Sequence, residues 1–314
     1  MDINQLKIIK KLGYGFKGTV YLVKYKNKQY AYKIEKILKE NIKFIKTEID
    51  FSLKFANKYN NQFIKLYKYD IIKNCKHIQK IDTSLKLLPF NVVNKIQKLR
   101  KSNYCFIRLY SLVDTTLDKI ENKLSPKQIY SMLIQLSYIN YLLDKNKYLY
   151  GDMNLNNIGV VKTTKKNIKI LNKDVPTFGY IFKLIDFGTV NKYKGKKEYF
   201  ELNQVINFYL INYKKLYNKI EEENIKYNYE KIFNKISKTD EYKLLENYTK
   251  DDSLKYTLFT IIYPKKYQKI ILKNKFKKVI FPKLRCSIKD IIFLIKNKNN
   301  IKNIIKYFTE KIKE

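Results

Sequence analysis

Glycine is scarce in this chain, eight residues in 314, yet Gly13, Gly15 and Gly18 fall together in the stretch GYGFKG. β-Branched and aromatic residues flank it in LKIIKKLGYG and GTVYLVKYKN, and KQYAYKIEKI follows the turn-like KNK. The pattern predicts that the first 35 residues form strands, with a glycine turn between the first two. Such a hairpin lets backbone N–H groups approach a phosphate chain closely, because no Cβ blocks the way. A bulged hairpin without a ligand is the plainer reading of the same letters. The next helical pattern begins about twenty residues later rather than at the last glycine. That argues against a dinucleotide-binding βαβ unit, whose glycines open directly onto a helix.

From Leu38 to about Asn57 the apolar residues Ile42, Ile45, Ile49, Leu53 and Phe55 recur near a 3.6-residue period and predict a helix. FIKLYKYDII and YCFIRLYSLV read as strands again, and the lysine-rich stretch between them, about 74 to 102, reads as an insertion. A long helix then opens on Ser125 as N-cap and Pro126 as first helical residue. Its body, KQIYSMLIQLSYINYLLDK, is apolar nearly all round, which predicts burial in the middle of a helical lobe. Strand patterns return around NIGVV and IFKLIDFG, separated by a polar stretch ending in DVPTFGY; after Glu198 the pattern is almost wholly helical. Strands first and helices after, with a seam near residue 111, predict an α+β protein of two lobes, 1–111 and 112–314.

Several residues stand where chemistry is possible. Lys33 lies on the third strand in YAYKI, with the small Ala31 two positions earlier, where a flat base has room to pack. A cation there neutralises phosphate charge, provided an acid holds it in position. Glu48, on the predicted helix in IKTEID, is the best candidate, with Glu40 a competitor and a solvated helix-face acid the plainer reading. In KLIDFG an apolar strand ends on Asp186, Phe187 and Gly188. A carboxylate at such a tip suits Mg²⁺, a hard cation that takes oxygen ligands; an Asp-x-Gly turn explains the triplet equally well taken alone. In YLYGDMNLNN, Asp152 precedes Asn157 by five positions, among small and amide side chains.

Composition narrows the partners. A formal charge of +38 suggests nucleic acid, but only Arg100, Arg108 and Arg285 are arginines, and base readers and phosphate clamps rely on arginine. Abundant Lys, Asn, Ile, Tyr and Phe with no Trp is the composition that A+T-rich codons produce. The expectation is a solvated lysine surface with non-specific attraction to polyanions and no sequence-specific nucleic acid binding. Cys75, Cys105 and Cys286 are odd in number and far apart, and His77 is the single histidine. That argues against a disulfide framework, a zinc site or a histidine triad. The start MDINQLKIIKK lacks the form of a signal peptide and no apolar run reaches membrane-spanning length, so a soluble intracellular, cytoplasmic protein without membrane partners is expected.

Taken in order, the glycine loop, Lys33, Glu48, Asp152 with Asn157, and Asp186-Phe187-Gly188 resemble the eukaryotic protein kinase superfamily. The likeness covers roughly residues 5 to 210, and it implies a bilobal kinase-like fold with ATP and Mg²⁺ as cofactors. It implies that Gly13, Gly15, Gly18 and Val20 cover the nucleotide, that Ala31 lies by the base, and that Lys33 binds the α/β-phosphates and pairs with Glu48. Backbone from Leu109 to Ser111 receives the adenine, Asp152 orients or deprotonates the acceptor hydroxyl, and Asn157 and Asp186 hold Mg²⁺. The phrases FIKLYKYDIIKNCKH and VPTFGYIFKLIDFG look like the serine/threonine kinases of large DNA viruses with A+T-rich genomes, which would place the protein in host cytoplasm or virion.

The pattern departs from the family in places. Tyr150 and Gly151 precede the aspartate where His-Arg is usual, and Asn154 stands where a catalytic lysine is expected. An amide hydrogen-bonds a phosphate oxygen without neutralising it; Lys192 or Lys194 are possible substitutes. No Ala-Pro-Glu ending follows Asp186, and Glu201 or Asn203 are candidates to replace the aspartate that braces the catalytic loop in the family. The expected function is phosphoryl transfer to Ser/Thr hydroxyls of a protein substrate. The alternatives are a small-molecule kinase of the aminoglycoside or choline type, a pseudokinase scaffold, and a charge-driven nucleic-acid binder.

Overall fold

Five strands open the structure: β1 (Lys7–Tyr14), β2 (Gly18–Tyr25), β3 (Lys28–Ile37), β4 (Leu66–Ile72) and β5 (Tyr104–Tyr110). They form one antiparallel sheet in the order β1-β2-β3-β5-β4. The computed structural model describes residues 5–14, 18–74, 98–99, 101–193, 211–212, 229–248, 255, 258–259, 262–263, 265–266, 269, 283–284, 287–297 and 300–314. The class is α+β, an antiparallel sheet at the N-terminal end and a largely helical C-terminal part, as the element order predicted. Two units result: Met1–Thr115 with Gly159–Val161 and Lys183–Asn191, and Thr116–Ile158 with Lys162–Phe182 and Lys192–Glu314.

In the first unit, register decides what faces what. Val20 and Arg108 sit opposite Lys33, Gly18 opposite Glu35, and Tyr110 opposite Ala31. Side chains alternate along a strand, so Ala31, Lys33, Glu35 and Ile37 share one face with Arg108 and Tyr110. The other face carries Ile34, Cys105 and Ile107 in one cluster, and Val23, Tyr30 and Leu109 in another. Helix α1 (Ile42–Asp50) covers the Lys33 face by packing Ile45 on Ile37 and Phe106. It continues as a π-helical turn over Phe51–Ala56, which inserts an extra residue per turn and shifts the buried stripe. Phe51 and Phe55 are therefore buried against Phe63, while Ile42 and Leu53, expected on the apolar face, are 36% and 43% exposed.

The β1–β2 hairpin is bulged: the register shifts between Lys11 and Gly13. Gly15 and most of the 74–102 stretch lie outside the described residues, as do Lys194, Glu201 and Asn203. Cys105, fully buried on β5, is disulfide-bonded, contrary to the expectation from cysteine spacing. Bridging depends on Cα separation in space, about 4.4–6.8 Å, which sequence distance does not report. The remaining cysteines, Cys75 and Cys286, both lie outside the described residues.

In the second unit α2 (Pro126–Lys145) begins as predicted, with Ser125 and Gln128 forming a capping box and Pro126 at the first position. Its buried face includes Met132, Leu133, Leu136, Ile139 and Leu143. The polar stretch ending in DVPTFGY holds a hairpin missed in the sequence, β6 (Asn167–Ile170) with β7 (Lys173–Pro176). Leu171 and Asn172 at its turn have φ of 48° and 63°, and a leucine in that region is not a recognised hairpin signal. The hairpin docks on α2, where Ser131 Oγ donates to Pro176 O at 2.5 Å. Helices α3 (Tyr229–Ile236), α4 (Asp240–Leu244), α5 (Ile288–Lys296) and α6 (Ile301–Lys313) follow, with a two-residue strand pair at Ile211–Asn212 and Lys283–Leu284. Asp290 of α5, 1% exposed, accepts from Tyr307 Oη at 2.8 Å and Tyr130 Oη at 3.4 Å, tying α5, α6 and α2 together.

Candidate active site

The first unit brings a charged row together on the Lys33 face. Lys33 Nζ lies 2.8 Å from Asp186 Oδ2 and 3.3 Å from Glu35 Oε1. Glu35 also bonds Arg108 through its second oxygen, and the other arm of Arg108 bonds Glu48. Tyr110 Oη donates to Glu48 Oε1 at 3.2 Å. The expected Lys33–Glu48 pair is thus replaced: Lys33 is held by Asp186 and Glu35, and the Glu48 carboxylate belongs to Arg108. Glu48 is nonetheless a buried residue of α1, 7% exposed, and no solvated helix-face acid, while Glu40 lies exposed in the turn Lys39–Asn41.

Asp186 is positioned by what surrounds it. The strand leading to it is held by Leu184, whose N–H donates to Gln62 O at 2.8 Å and whose O accepts from Ile64 N at 3.1 Å. Phe187 is fully buried among Phe51, Phe63 and Tyr110, at ring distances of 5.0, 6.2 and 6.3 Å. Between these anchors Asp186 takes φ of 66°, a left-handed conformation uncommon outside glycine. Such strain persists where packing over-determines it, commonly at functional sites. Burial raises the Asp186 carboxyl pKa, but the Lys33 ammonium, with help from Arg108 and the Gly188 N–H, outweighs this and holds it at about 2. The group is an ionised, 41% exposed oxygen ligand, which fits a divalent cation of Mg²⁺ type.

Gly18, expected as a phosphate-approach glycine, has a second constraint. A Cβ there would collide with Ile34 O and Glu35 Cγ, whereas one at Gly13 meets nothing within 4 Å. Leu109 packs its side chain with Val23 and Tyr30, away from Lys33. Ser111 N donates to Lys65 O at 2.8 Å and its Oγ accepts from Lys65 N at 3.0 Å. That backbone donor is already engaged within the first unit.

The second unit holds the loop YLYGDMNLNN. Tyr150 and Met153 are fully buried and pin the loop on either side of the exposed Asp152. Gly151 has φ of 80°, a conformation in which any side chain would be strained. Asn154 caps the short 3-10 turn Leu155–Asn157, its Oδ1 accepting from Asn156 N at 3.0 Å and Asn157 N at 3.2 Å. Its Nδ2 donates to Asp152 Oδ1 at 2.8 Å, and Asn157 Nδ2 donates to Asp152 O and Oδ2, both at 2.9 Å. Asp152 is therefore held by two amides, and both ends of the Asn154 amide are engaged within the loop. Asn157 keeps its Oδ1 as an oxygen donor, of the hard type that suits Mg²⁺. Lys192, considered as a substitute cation, stands over the Tyr148 ring at 5.4 Å.

Arg108, Glu35 and Tyr110 were not foreseen as members of the site. A signal existed for Arg108: it is one of three arginines in a chain with 66 basic residues. Arginine is the cation whose planar fork serves two carboxylates at once in a buried place.

No family model matches the chain. No curated protein matches it either. Among solved structures it is similar to a kinase domain from Plasmodium, at 17% identity and a TM-score of 0.39, over 62% of this chain and 54% of that one. The chain thus spans about half the length of that structure. No helix among the described residues is long and apolar enough to cross a membrane.

Proposed function

We propose that the protein is an ATP-dependent phosphotransferase acting on Ser and Thr hydroxyls of proteins. The observation that carries the reading is the ion pair of Lys33 with Asp186, which joins β3 to the Asp-Phe-Gly segment 153 residues later. A lysine beside the glycine hairpin neutralises nucleotide phosphates, with Val20 and Ala31 flanking the base and the Gly13, Gly15 and Gly18 backbone over the phosphates. Asp152 takes the proton from the acceptor hydroxyl as its oxygen bonds to the γ-phosphorus and ADP leaves. Asp186 carries an ionised oxygen that would serve Mg²⁺, and the Asn157 amide oxygen is of the same hard type; the ion when bound would neutralise charge on the phosphate oxygens.

The engagement of Asn154 favours one second reading, a nucleotide-binding protein with slow or no turnover. Electrostatic stabilisation of the transferring phosphoryl is often the largest catalytic term, and this amide adds no charge. The two readings separate on labelled phosphate found on Ser or Thr of generic protein acceptors. Its presence with wild type supports transfer; Mg·ATP stabilisation without it leaves the binding protein. No Mg·ATP stabilisation, with Lys33→Met melting as wild type does in the presence of nucleotide, removes both.

A further inference from the structure

Lys33 and Glu35 are two apart on β3 and so project from the same face. Arg108 sits directly across from Lys33 on β5, 1% exposed, with its guanidinium stacked 4.2 Å from the centre of the Phe106 ring. A cation buried to that degree needs carboxylates, and it has two: Glu35 from the strand and Glu48 from α1. Gly18, opposite Glu35, is the residue whose missing side chain leaves the space that Glu35 fills. The row therefore runs from α1 through Glu48, Arg108 and Glu35 to Lys33 and Asp186.

We propose that Glu35, seated by Gly18 and fixed by Arg108, joins Asp186 in positioning Lys33, and that Glu48 acts on the lysine through Arg108 rather than by a direct ion pair. Glu35 and Arg108 are positioning residues, and the proposal rests on the nucleotide-binding role given to Lys33 above. A displaced helix α1 would then reach Lys33 through an intermediate guanidinium rather than by a direct ion pair.

The test measures Mg·ATP affinity of the full chain by equilibrium titration with wild type, Glu35→Gln, Glu48→Gln and Lys33→Met, alone and combined. Glu35→Gln is expected to weaken binding about tenfold and to have no further effect once Lys33 is methionine, the signature of two coupled residues. Glu48→Gln is expected to lose less affinity and to show mainly a lower melting temperature. A larger affinity loss in Glu48→Gln than in Glu35→Gln, or additive losses of Glu35→Gln and Lys33→Met, would overturn the proposal.

A second readout does not need nucleotide: unfolding free energies of the single and paired variants by urea denaturation. Glu35→Gln and Lys33→Met are expected to be non-additive because the two side chains touch, while Glu48→Gln and Lys33→Met add; additive losses of Glu35→Gln and Lys33→Met contradict the proposal. If wild type binds no Mg·ATP, the kinase reading fails and this second measurement still decides the positioning. Should Glu35→Gln not fold, Glu35→Asp, which keeps the charge beside Arg108 but draws it back from Lys33, takes its place in both measurements.

Discussion

Asn154 Nδ2 donates to Asp152 Oδ1 at 2.8 Å while its own Oδ1 caps the turn that follows. On the phosphotransferase reading proposed above, the position of the usual lysine is used to hold the acid in place. Restoring the lysine should therefore not restore a faster enzyme. Asn154→Lys is expected to lose the cap, costing about 1 kcal/mol of stability, and to lower kcat by freeing Asp152. A kcat above wild type in steady-state assays would show that the missing charge, and not the orientation, limits the rate.

The two described glycines of the hairpin should respond differently to alanine. A Cβ at Gly18 meets the Ile34 carbonyl and the Glu35 side chain, and one at Gly13 meets nothing within 4 Å. Gly18→Ala is expected to destabilise by about 1–3 kcal/mol, the usual scale of overpacking, with Gly13→Ala within about 0.5 kcal/mol of wild type. Urea unfolding of both variants checks the contrast, and equal stabilities would refute it.

The ion pair at Asp186 predicts a pH dependence. Its carboxyl is held at about 2 in the folded chain against an ordinary value of 3.8. A lowered pKa gives stability that is complete above the ordinary value and is lost as pH falls through the folded one. The stability gap between wild type and Asp186→Asn is therefore expected to be constant from about pH 7 to 5 and to narrow from about pH 4 to 2. A gap that stays flat to pH 2 in chemical denaturation would exclude the pair as a stabilising contact.

Asp290 ties three helices of the second unit through Tyr130, Tyr307 and the Ser287 capping box. Asp290→Ala removes the shared acceptor of two half-buried tyrosine hydroxyls and half of the capping box. A loss of about 2–4 kcal/mol in urea unfolding follows from those terms together. A loss under about 0.5 kcal/mol, the range of ordinary surface changes, would mean the tyrosines find other partners.

Much of this was legible in the letters, for physical reasons that can be named. Strand alternation and the glycine cluster predicted the sheet, and Ser125-Pro126 predicted the start of α2, because both signals act locally. The hairpin at 167–176 was not legible, since Leu171 holds a turn conformation that leucine seldom takes. The partner of Lys33 was misjudged because it depends on the β3–β5 register, which places Arg108 opposite the lysine and diverts Glu48. The apolar stripe of α1 changes phase at the π turn Phe51–Ala56, which a 3.6-residue period does not register. Cysteine spacing missed the disulfide of Cys105 for the same reason: pairing is decided in space.

Transfer of labelled phosphate from [γ-³²P]ATP, measured for wild type and Asp152→Asn side by side, tests the proposed phosphotransferase most directly. Wild type is expected to label a protein acceptor or itself on Ser or Thr, and Asp152→Asn to lose that signal while keeping Mg·ATP binding. Labelling that persists undiminished in Asp152→Asn, or none from a wild type that is folded, would contradict it.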